Sequence, residues 1–116
     1  MRQQDLVWVS LAFSNLKESK VRPAVIVSNN NYNDSSDDVV VCAVTSNIAL
    51  KEYCVLISQA SLSNGKLPIK SKIRADKIMQ IEKSVILRSF ATLNDSTFEI
   101  LITELMKLLK SESSKN

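Results

Sequence analysis

Histidine is absent from the 116-residue sequence, so any acid–base chemistry must come from other side chains. Only two cysteines are present, Cys42 and Cys54, and both lie in apolar runs of strand-like composition. Two thiols without histidine make a poor zinc site, and we expect two small buried side chains with no disulfide between them. The sequence therefore predicts no metal site and no cofactor.

Long apolar runs are also missing. No run approaches the roughly 20 residues that span a bilayer, and the N-terminus opens on polar residues instead of an apolar signal region. We therefore expect a cytoplasmic protein that does not bind membranes. A content of 45% hydrophobic and 23% charged residues is ordinary for a soluble globular protein. We predict a single domain over residues 1–116, with an ordered core at about 5–109.

Short β-rich runs alternate with polar turns over the first two thirds of the chain. These runs predict strands at Asp5–Phe13, Val21–Ser28, Val39–Ser46, Tyr53–Ser58, Lys70–Ile78 and Val85–Leu93. Residues 29–38 are rich in Asn, Asp and Ser, and residues 61–68 contain an Asn-Gly pair suited to positive φ, so both are predicted loops. Apolar residues at helical spacing predict an amphipathic helix over 98–109, capped by Asn94 or Ser96.

Five to seven strands followed by one helix predict a mainly β fold of the α+β class. We expect a small, strongly bent antiparallel sheet or half-open barrel whose mouth is covered by the helix. The first strand is apolar on both faces, as at the centre of a small barrel. Trp8 in this strand is expected to belong to the core and not to a platform for base stacking.

Basic residues are concentrated in one segment of the chain. Residues 66–88 carry seven basic groups against only Asp76 and Glu82, a net charge of +5, while the rest of the chain carries −2. Such a local basic surface is what a nucleic-acid backbone requires. An ordinary hydrated face rich in lysine is an equally good explanation of the charge alone.

Arg74 and Asp76 lie two residues apart in a predicted strand, so their side chains point to the same face, about 6.5–7 Å apart. Ile73 and Ala75 point to the other face, where we expect the core. A fixed cation beside a fixed carboxylate can bind a phosphodiester and move a proton near it. The alternative is a structural ion pair, which contributes little when exposed.

Three segments in this order and spacing resemble the MazF/PemK family of bacterial and archaeal toxins. The first is Val7-Trp8-Val9 followed by the Arg-Pro strand start at 22–28. The second is Val44-Thr45-Ser46-Asn47, at the end of an apolar strand. The third is Leu67-Pro68, followed by Ser71 and by the Arg-x-Asp strand at 73–78. The resemblance covers roughly residues 5–109.

The resemblance implies an SH3-like barrel that forms a homodimer. It also implies a metal-independent endoribonuclease that cuts single-stranded RNA through attack by the 2′-hydroxyl, leaving a cyclic phosphate. Such toxins are held inactive by an antitoxin, usually an acidic segment laid across the RNA groove. The family's catalytic positions match Arg22, Thr45, Arg74 and Asp76. The expected RNA-binding residues are Ser46, Asn47, Lys72, Lys77 and Tyr32.

In this chemistry Arg22 and Arg74 are the natural clamps for phosphate oxygens, because a guanidinium matches two of them at once. Thr45 can donate a hydrogen bond to the same oxygens, and Asp76 is the candidate base. The pKa of arginine lies above about 12, which fits electrostatic stabilisation better than proton transfer.

The sequence departs from the family pattern at three positions after the Arg-x-Asp motif. Lys77, Met79 and Gln80 stand where the family usually has glutamine, a basic residue and threonine, and residues 15–20 lack the usual glycines. One alternative is therefore a degenerate barrel that binds RNA or an acidic peptide without cutting. A second is a gyrase-directed toxin, although that class ends its helix in an aromatic and hydrophobic tip and this chain ends in Ser, Lys and Asn.

Overall fold

A computed structural model describes residues 1–12 and 19–111 of the chain. The strands are β1 Asp5–Ala12, β2 Ser19–Ile26, β3 Asp38–Thr45, β4 Cys54–Ile57, β5 Leu62–Gly65, β6 Ser71–Glu82 and β7 Ile86–Leu93, and the helices are α1 Asn30–Ser35 and α2 Asp95–Leu109. All six predicted strands are present. Phe13 and most of the glycine-free segment at 15–20 lie outside the described residues.

The seven strands form one sheet in the order β4-β6-β3-β2-β1-β7-β5, with every neighbouring pair antiparallel. The sheet curls into a half-barrel, and α2 follows it at the C-terminal end of the chain. This confirms the prediction of a mainly β fold with one C-terminal helix. The two edge strands, β4 and β5, are only four residues long.

Two predicted loops contain regular structure. Residues 30–35 form α1, because the Asn29 side chain caps the helix by accepting a hydrogen bond from the Tyr32 amide at 2.8 Å. Residues 62–65 form β5, which pairs with β7. Gly65 ends β5 at φ +85°, as the Asn-Gly pair predicts, and a Cβ at this position would lie 2.3 Å from the Phe90 carbonyl oxygen.

The sheet is apolar on both faces, and each face has its own core. The helix-side core packs Leu6, Val25, Cys42, Val44, Val55, Ile57, Ile73, Ala75, Ala91 and Leu93 against Phe98 and Leu101 of α2. The opposite core contains Val7, Val9, Ala24, Ile26, Val39, Val41, Ile81 and Ile86. Alternate residues of β1 thus enter different cores, as expected for a strand that is apolar on both sides. Ile73 and Ala75 are fully buried, as predicted.

A bulge in β6 changes which core that strand faces. Cys42 of β3 pairs with Ile78, but the next residue, Ala43, pairs with Arg74, so residues 75–77 have no partner in β3. Before the bulge, Ile73 enters the helix-side core; after it, Ile81 enters the opposite core. The extra residues rotate the strand, so that odd-numbered residues such as Ile73 and Ile81 face opposite sides of the sheet.

β2 and β3 separate soon after they meet. They pair only over residues 24–26 and 41–43, while the first half of β2 pairs with β1 alone. Pro23 lies at the point where the pairing stops, and it has no amide hydrogen with which to continue the ladder. A cleft therefore opens between Arg22 on β2 and Thr45 on β3.

Helix α2 begins at Asp95, and Asn94 caps it by accepting a hydrogen bond from the Thr97 amide at 2.8 Å. Of the two predicted caps, Asn94 is confirmed and Ser96 is wrong. No helix in the described part of the chain is long and apolar enough to cross a membrane. Both cysteines are free thiols; Cys42 is buried, which raises its pKa to about 12, and Cys54 is half-buried.

Replacing Leu101 by alanine tests how α2 is held on the sheet. Leu101 is fully buried in the helix-side core, so Leu101→Ala should lower the free energy of unfolding by about 2–5 kcal/mol. Leu109 on the same helix is 72% exposed, and Leu109→Ala should change it by no more than about 0.5 kcal/mol. Urea unfolding of the two variants checks this, and equal losses would contradict the packing described.

Candidate active site

The cleft between β2 and β3 contains a cavity of about 360 Å³, which we call the first cavity. Its apolar floor consists of Val9, Leu11, Pro23, Ala24, Val41, Ala43, Val44, Met79 and Ile81. The polar and charged lining residues are Arg22, Thr45, Arg74 and Lys77. Three cations and a hydroxyl thus border an apolar pocket whose described lining includes no carboxylate, an arrangement that attracts an anion.

A second cavity of about 500 Å³ shares Arg22, Pro23, Val44 and Thr45 with the first. The two cavities take opposite side chains of β1: the first is lined by Val9 and Leu11, the second by Trp8. Since neighbouring residues of a strand point to opposite faces, the cavities open on the two sides of the sheet. They meet at the cleft.

Thr45 and Arg22 keep hydrogen-bond donors available at this junction. The Thr45 Oγ1 accepts a hydrogen bond from the Asn47 amide at 3.2 Å, and no described residue receives the hydroxyl proton. Arg22 is exposed and donates one bond, from Nη1 to the Val21 carbonyl at 3.3 Å. A guanidinium has five N–H donors, so most of those on Arg22 can reach a ligand.

Arg74 and Asp76 form a two-point ion pair. Nε of Arg74 donates to Oδ1 of Asp76 at 3.0 Å and Nη2 donates to Oδ2 at 3.1 Å, while Nζ of Lys51 lies 3.7 Å from Oδ2. The hydrogen bonds from Arg74 hold the pKa of the Asp76 carboxyl below its usual range, and the charge of Lys51 acts in the same direction. The same pairing raises the pKa of Arg74, so Arg74 stays charged. Asp76 therefore fixes the orientation of the Arg74 guanidinium group.

The structure brings together some of the predicted site residues and separates others. Arg22, Thr45, Arg74 and Lys77 line the first cavity, and Ser46 lines the second. Asp76, Asn47, Lys72 and Tyr32 line neither.

Three of the predicted RNA-binding residues have their polar groups engaged elsewhere. Lys72 is 5% exposed, and its Nζ donates to the Ala49 carbonyl at 2.7 Å. The hydroxyl of Tyr32 accepts a hydrogen bond from Gln80 at 3.0 Å. The Asn47 side chain accepts one from the Ala49 amide at 3.2 Å. Their RNA-binding role stays a prediction, and their contacts serve the fold.

Trp8 and Phe90 are aromatic lining residues that the sequence did not assign to the site. Trp8 is only half-buried, lies outside both cores and stacks on Phe90 with ring centroids 4.8 Å apart and an interplanar angle of 27°. Its expected place in the core is therefore wrong. The position of Trp8 depends on strand pairing, which places it opposite Pro23 and Arg88. The hydropathy of one strand does not contain that information.

Within the described segments, no group of three or more Cys, Asp or Glu side chains is placed to hold a metal ion. The cavity linings instead offer guanidinium, ammonium and hydroxyl donors, which suit a phosphate or a carboxylate.

The sequence profile of the PemK-like, MazF-like toxins of type II toxin–antitoxin systems matches residues 2–109, nearly the whole chain. Among curated proteins, none matches the sequence.

Solved structures share the fold at low sequence identity. An endoribonuclease in complex with its cognate antitoxin, from a mycobacterial species, superposes with a TM-score of 0.77 at 20% identity, over 97% of this chain and 99% of that one. A MazE–MazF structure from Deinococcus radiodurans (form III) gives a TM-score of 0.78 at 19% identity, over 94% of this chain and 95% of that one. The Mycobacterium tuberculosis toxin MazF-mt6 gives 0.68 at 19% identity, over 87% and 93%.

Removal of the Arg74 guanidinium group should raise the pKa of the Asp76 carboxyl. In Arg74→Gln the pKa should move up toward about 3.9, the ordinary value for aspartate, and a carbon-13 NMR titration of the carboxyl group measures it. Because the folded-state pKa is the lowered one, the pair stabilises the fold above the unfolded-state pKa, and this contribution disappears as pH falls through the folded-state value. Lys51→Gln is the control and should give a smaller rise, since Lys51 acts through charge alone at 3.7 Å. An unchanged pKa in Arg74→Gln would contradict the assigned cause.

Proposed function

The chain belongs to the PemK-like, MazF-like toxin family of type II toxin–antitoxin systems, and from this premise we propose that it is an endoribonuclease toxin. Its substrate is single-stranded RNA, cut without a metal ion by attack of the 2′-hydroxyl on the adjacent phosphodiester. The observation that carries the proposal is the convergence of Arg22, Thr45, Arg74 and Lys77 on one cavity at the separation of β2 and β3.

The proposed chemistry starts with the scissile phosphate on the rim of the first cavity. The guanidiniums of Arg22 and Arg74 bind its non-bridging oxygens and stabilise the charge that grows there in the transition state. The Thr45 hydroxyl donates a hydrogen bond to the same oxygens. The apolar floor lowers the local dielectric, which strengthens each of these interactions.

Asp76 is the proposed base that takes the 2′-hydroxyl proton. Its lowered pKa keeps it ionised at neutral pH and makes it a weak base. Each carboxylate oxygen accepts one hydrogen bond from Arg74 and keeps a lone pair for a second. Because the pairing with Asp76 raises the pKa of Arg74, Arg74 acts through its charge. The leaving 5′-oxygen takes its proton from solvent water, and Asp76 returns the 2′-hydroxyl proton to solvent.

The proposed partners follow from the same premise. Two of the structures that share the fold hold a MazF-type toxin or an endoribonuclease together with its antitoxin. We propose that an acidic antitoxin segment covers the cationic rim of this chain, that the working form is a homodimer, and that the protein acts in the cytoplasm, where mRNA is found.

A second candidate function is RNA binding without cleavage. It is favoured by the position of Lys77 and Met79, which depart from the family pattern and both line the first cavity. An altered wall at the phosphate site could hold RNA in a geometry that does not allow in-line attack.

Cleavage in excess EDTA distinguishes the two functions. The wild type should cut a long single-stranded RNA and leave cyclic-phosphate ends, detected by end mapping, and a 2′-deoxy residue at the cut site should block the reaction. Arg22→Gln and Thr45→Val should each lower the rate about 10²-fold or more, as expected for loss of one oxyanion donor.

Lys107→Gln is the matched control, because Lys107 lies on α2 and pairs with Glu104 at 3.0 Å, away from the cleft. It should cut at the wild-type rate. Folded wild-type protein that binds diverse RNAs and leaves them intact would refute the enzyme and establish the binding function.

Asp76→Asn separates a base from a group that only positions Arg74. If Asp76 is the base, the variant should lose about 10²- to 10⁴-fold in cleavage rate and still bind a 2′-O-methyl RNA, which has no attacking hydroxyl, with nearly unchanged affinity. Parallel losses of cleavage and of 2′-O-methyl RNA affinity would show that Asp76 acts only through Arg74. Fluorescence anisotropy gives the affinity, and gel electrophoresis gives the rate.

A further inference from the structure

The second cavity has an aromatic wall that the proposed phosphate chemistry does not use. Trp8 and Phe90 form a stacked pair there, and the loop residues Leu67, Pro68 and Ile69 complete an apolar surround. Phe90 also packs against the helix-side core, which anchors the pair to the fold. Both rings are half-buried, so part of each ring remains available to contact a ligand.

Trp8 can be reached from two sides. It lines the second cavity and also a neighbouring groove of about 370 Å³, whose other walls are Val21, Leu87 and Arg88. Val21 and Leu87 are 47% and 56% exposed, so this part of the sheet offers flat apolar surface to solvent. A volume of about 500 Å³ for the second cavity lies within the range of pockets that hold small planar ligands.

The charges around the platform fit a polyanion. Arg22 lines the second cavity, and Arg88 lies directly across from Trp8 on β7. Neither guanidinium forms an ion pair with another residue in the described ranges 1–12 and 19–111. No acidic side chain is among the described residues that line the cavity or the groove. Aromatic faces between two free cations are the features that bind single-stranded nucleic acid, with bases on rings and phosphates on cations.

We propose that Trp8 and Phe90 form a stacking subsite for one unpaired base, on the nucleotide next to the scissile phosphate. The shared lining of the two cavities supports this position: a phosphate on Arg22 and Thr45 would place the attached nucleoside at the mouth of the second cavity. Stacking on Trp8 and Phe90 does not itself discriminate between bases, because every base has a π-face. The inference rests on the proposed RNA function, and it adds the position at which one base of the RNA is bound.

Trp8 is the only tryptophan in the chain, so the protein's tryptophan emission reports directly on the subsite. The probes are short 2′-O-methyl oligonucleotides of uridine, cytidine or adenosine, which cannot be cleaved, and a matched oligonucleotide whose sugars carry no bases. Emission should be quenched on saturation with the base-bearing probes and should change little with the abasic one. The same quenching by the abasic probe, or no quenching by any probe, overturns the proposal.

Substitution of the ring gives an independent measurement. Trp8→Leu should weaken binding of the 2′-O-methyl probes at least about fivefold, the lower end for loss of one base–aromatic stack, and Trp8→Phe should retain most of the affinity. If Trp8→Leu does not fold, Phe90→Leu replaces it, with the remaining tryptophan as the readout. Equal affinity of wild type and the leucine variant overturns the proposal.

Two further controls are needed. The first tests whether a second copy of the chain covers Trp8, and the second distinguishes failure of the subsite from failure of the proposed nuclease. If a second copy of the chain covers Trp8, its emission changes with protein concentration in step with the oligomeric state, and probe has no further effect; that result overturns the stacking subsite. Cleavage of unmodified RNA without a response of Trp8 leaves the proposed function intact and removes the subsite. A base-dependent response of Trp8 without cleavage supports the subsite and refutes the nuclease.

Discussion

The separation of β2 from β3 is the constraint on which the site depends. The two strands pair over only three residues each, and the pairing stops at a proline that has no amide hydrogen to donate. Beyond that point β2 stays with β1 while β3 stays with β6. The gap exposes Arg22 and Thr45 to both sides of the sheet, and the early end of one hydrogen-bond ladder thereby creates two cavities with a common edge.

The bulge in β6 has the complementary role. It lets a single strand bury Ile73 in one core and Ile81 in the other. Because the bulge also absorbs three residues, Arg74 before it and Lys77 within it both reach the first cavity. The two cations differ in constraint: Arg74 is held at both ends of its fork by a carboxylate, and Lys77 is exposed. A fixed guanidinium costs little reordering when an anion binds, whereas a flexible lysine can follow the anion as it moves.

Local sequence pattern accounts for most of the fold and part of the site. Alternation correctly placed Ile73 and Ala75 in the core and Arg74 beside Asp76, because strand geometry alone decides those directions. Pairing decides the rest. β5 exists because β7 offers it a partner, and Lys72 is buried because the Ala49 carbonyl satisfies its ammonium. Neither fact is written in the local sequence.

The difference between local pattern and tertiary contact also explains why the sequence analysis missed α1 and misplaced Trp8. The Asn-rich segment is a helix because the side chain of Asn29 satisfies its first turn, a contact that a composition rule for loops does not consider. Trp8 has the hydropathy of a core residue, but it belongs to neither core and its ring stacks on Phe90. Hydropathy measures what a residue prefers, and topology decides what is available to cover it.

Among the described residues, the sheet ends at two edge strands, β4 and β5, and their length matters for the protein's behaviour at high concentration. An exposed edge can template pairing with another chain and so begin aggregation. β4 and β5 are each four residues long, and β5 ends at a glycine whose φ of +85° turns the backbone out of the extended form. Strands of this length are too short to recruit a stable foreign strand by themselves, so pairing with another chain is expected along the longer strands that they cover only in part, β6 beyond Arg74 and β7 before Ala91.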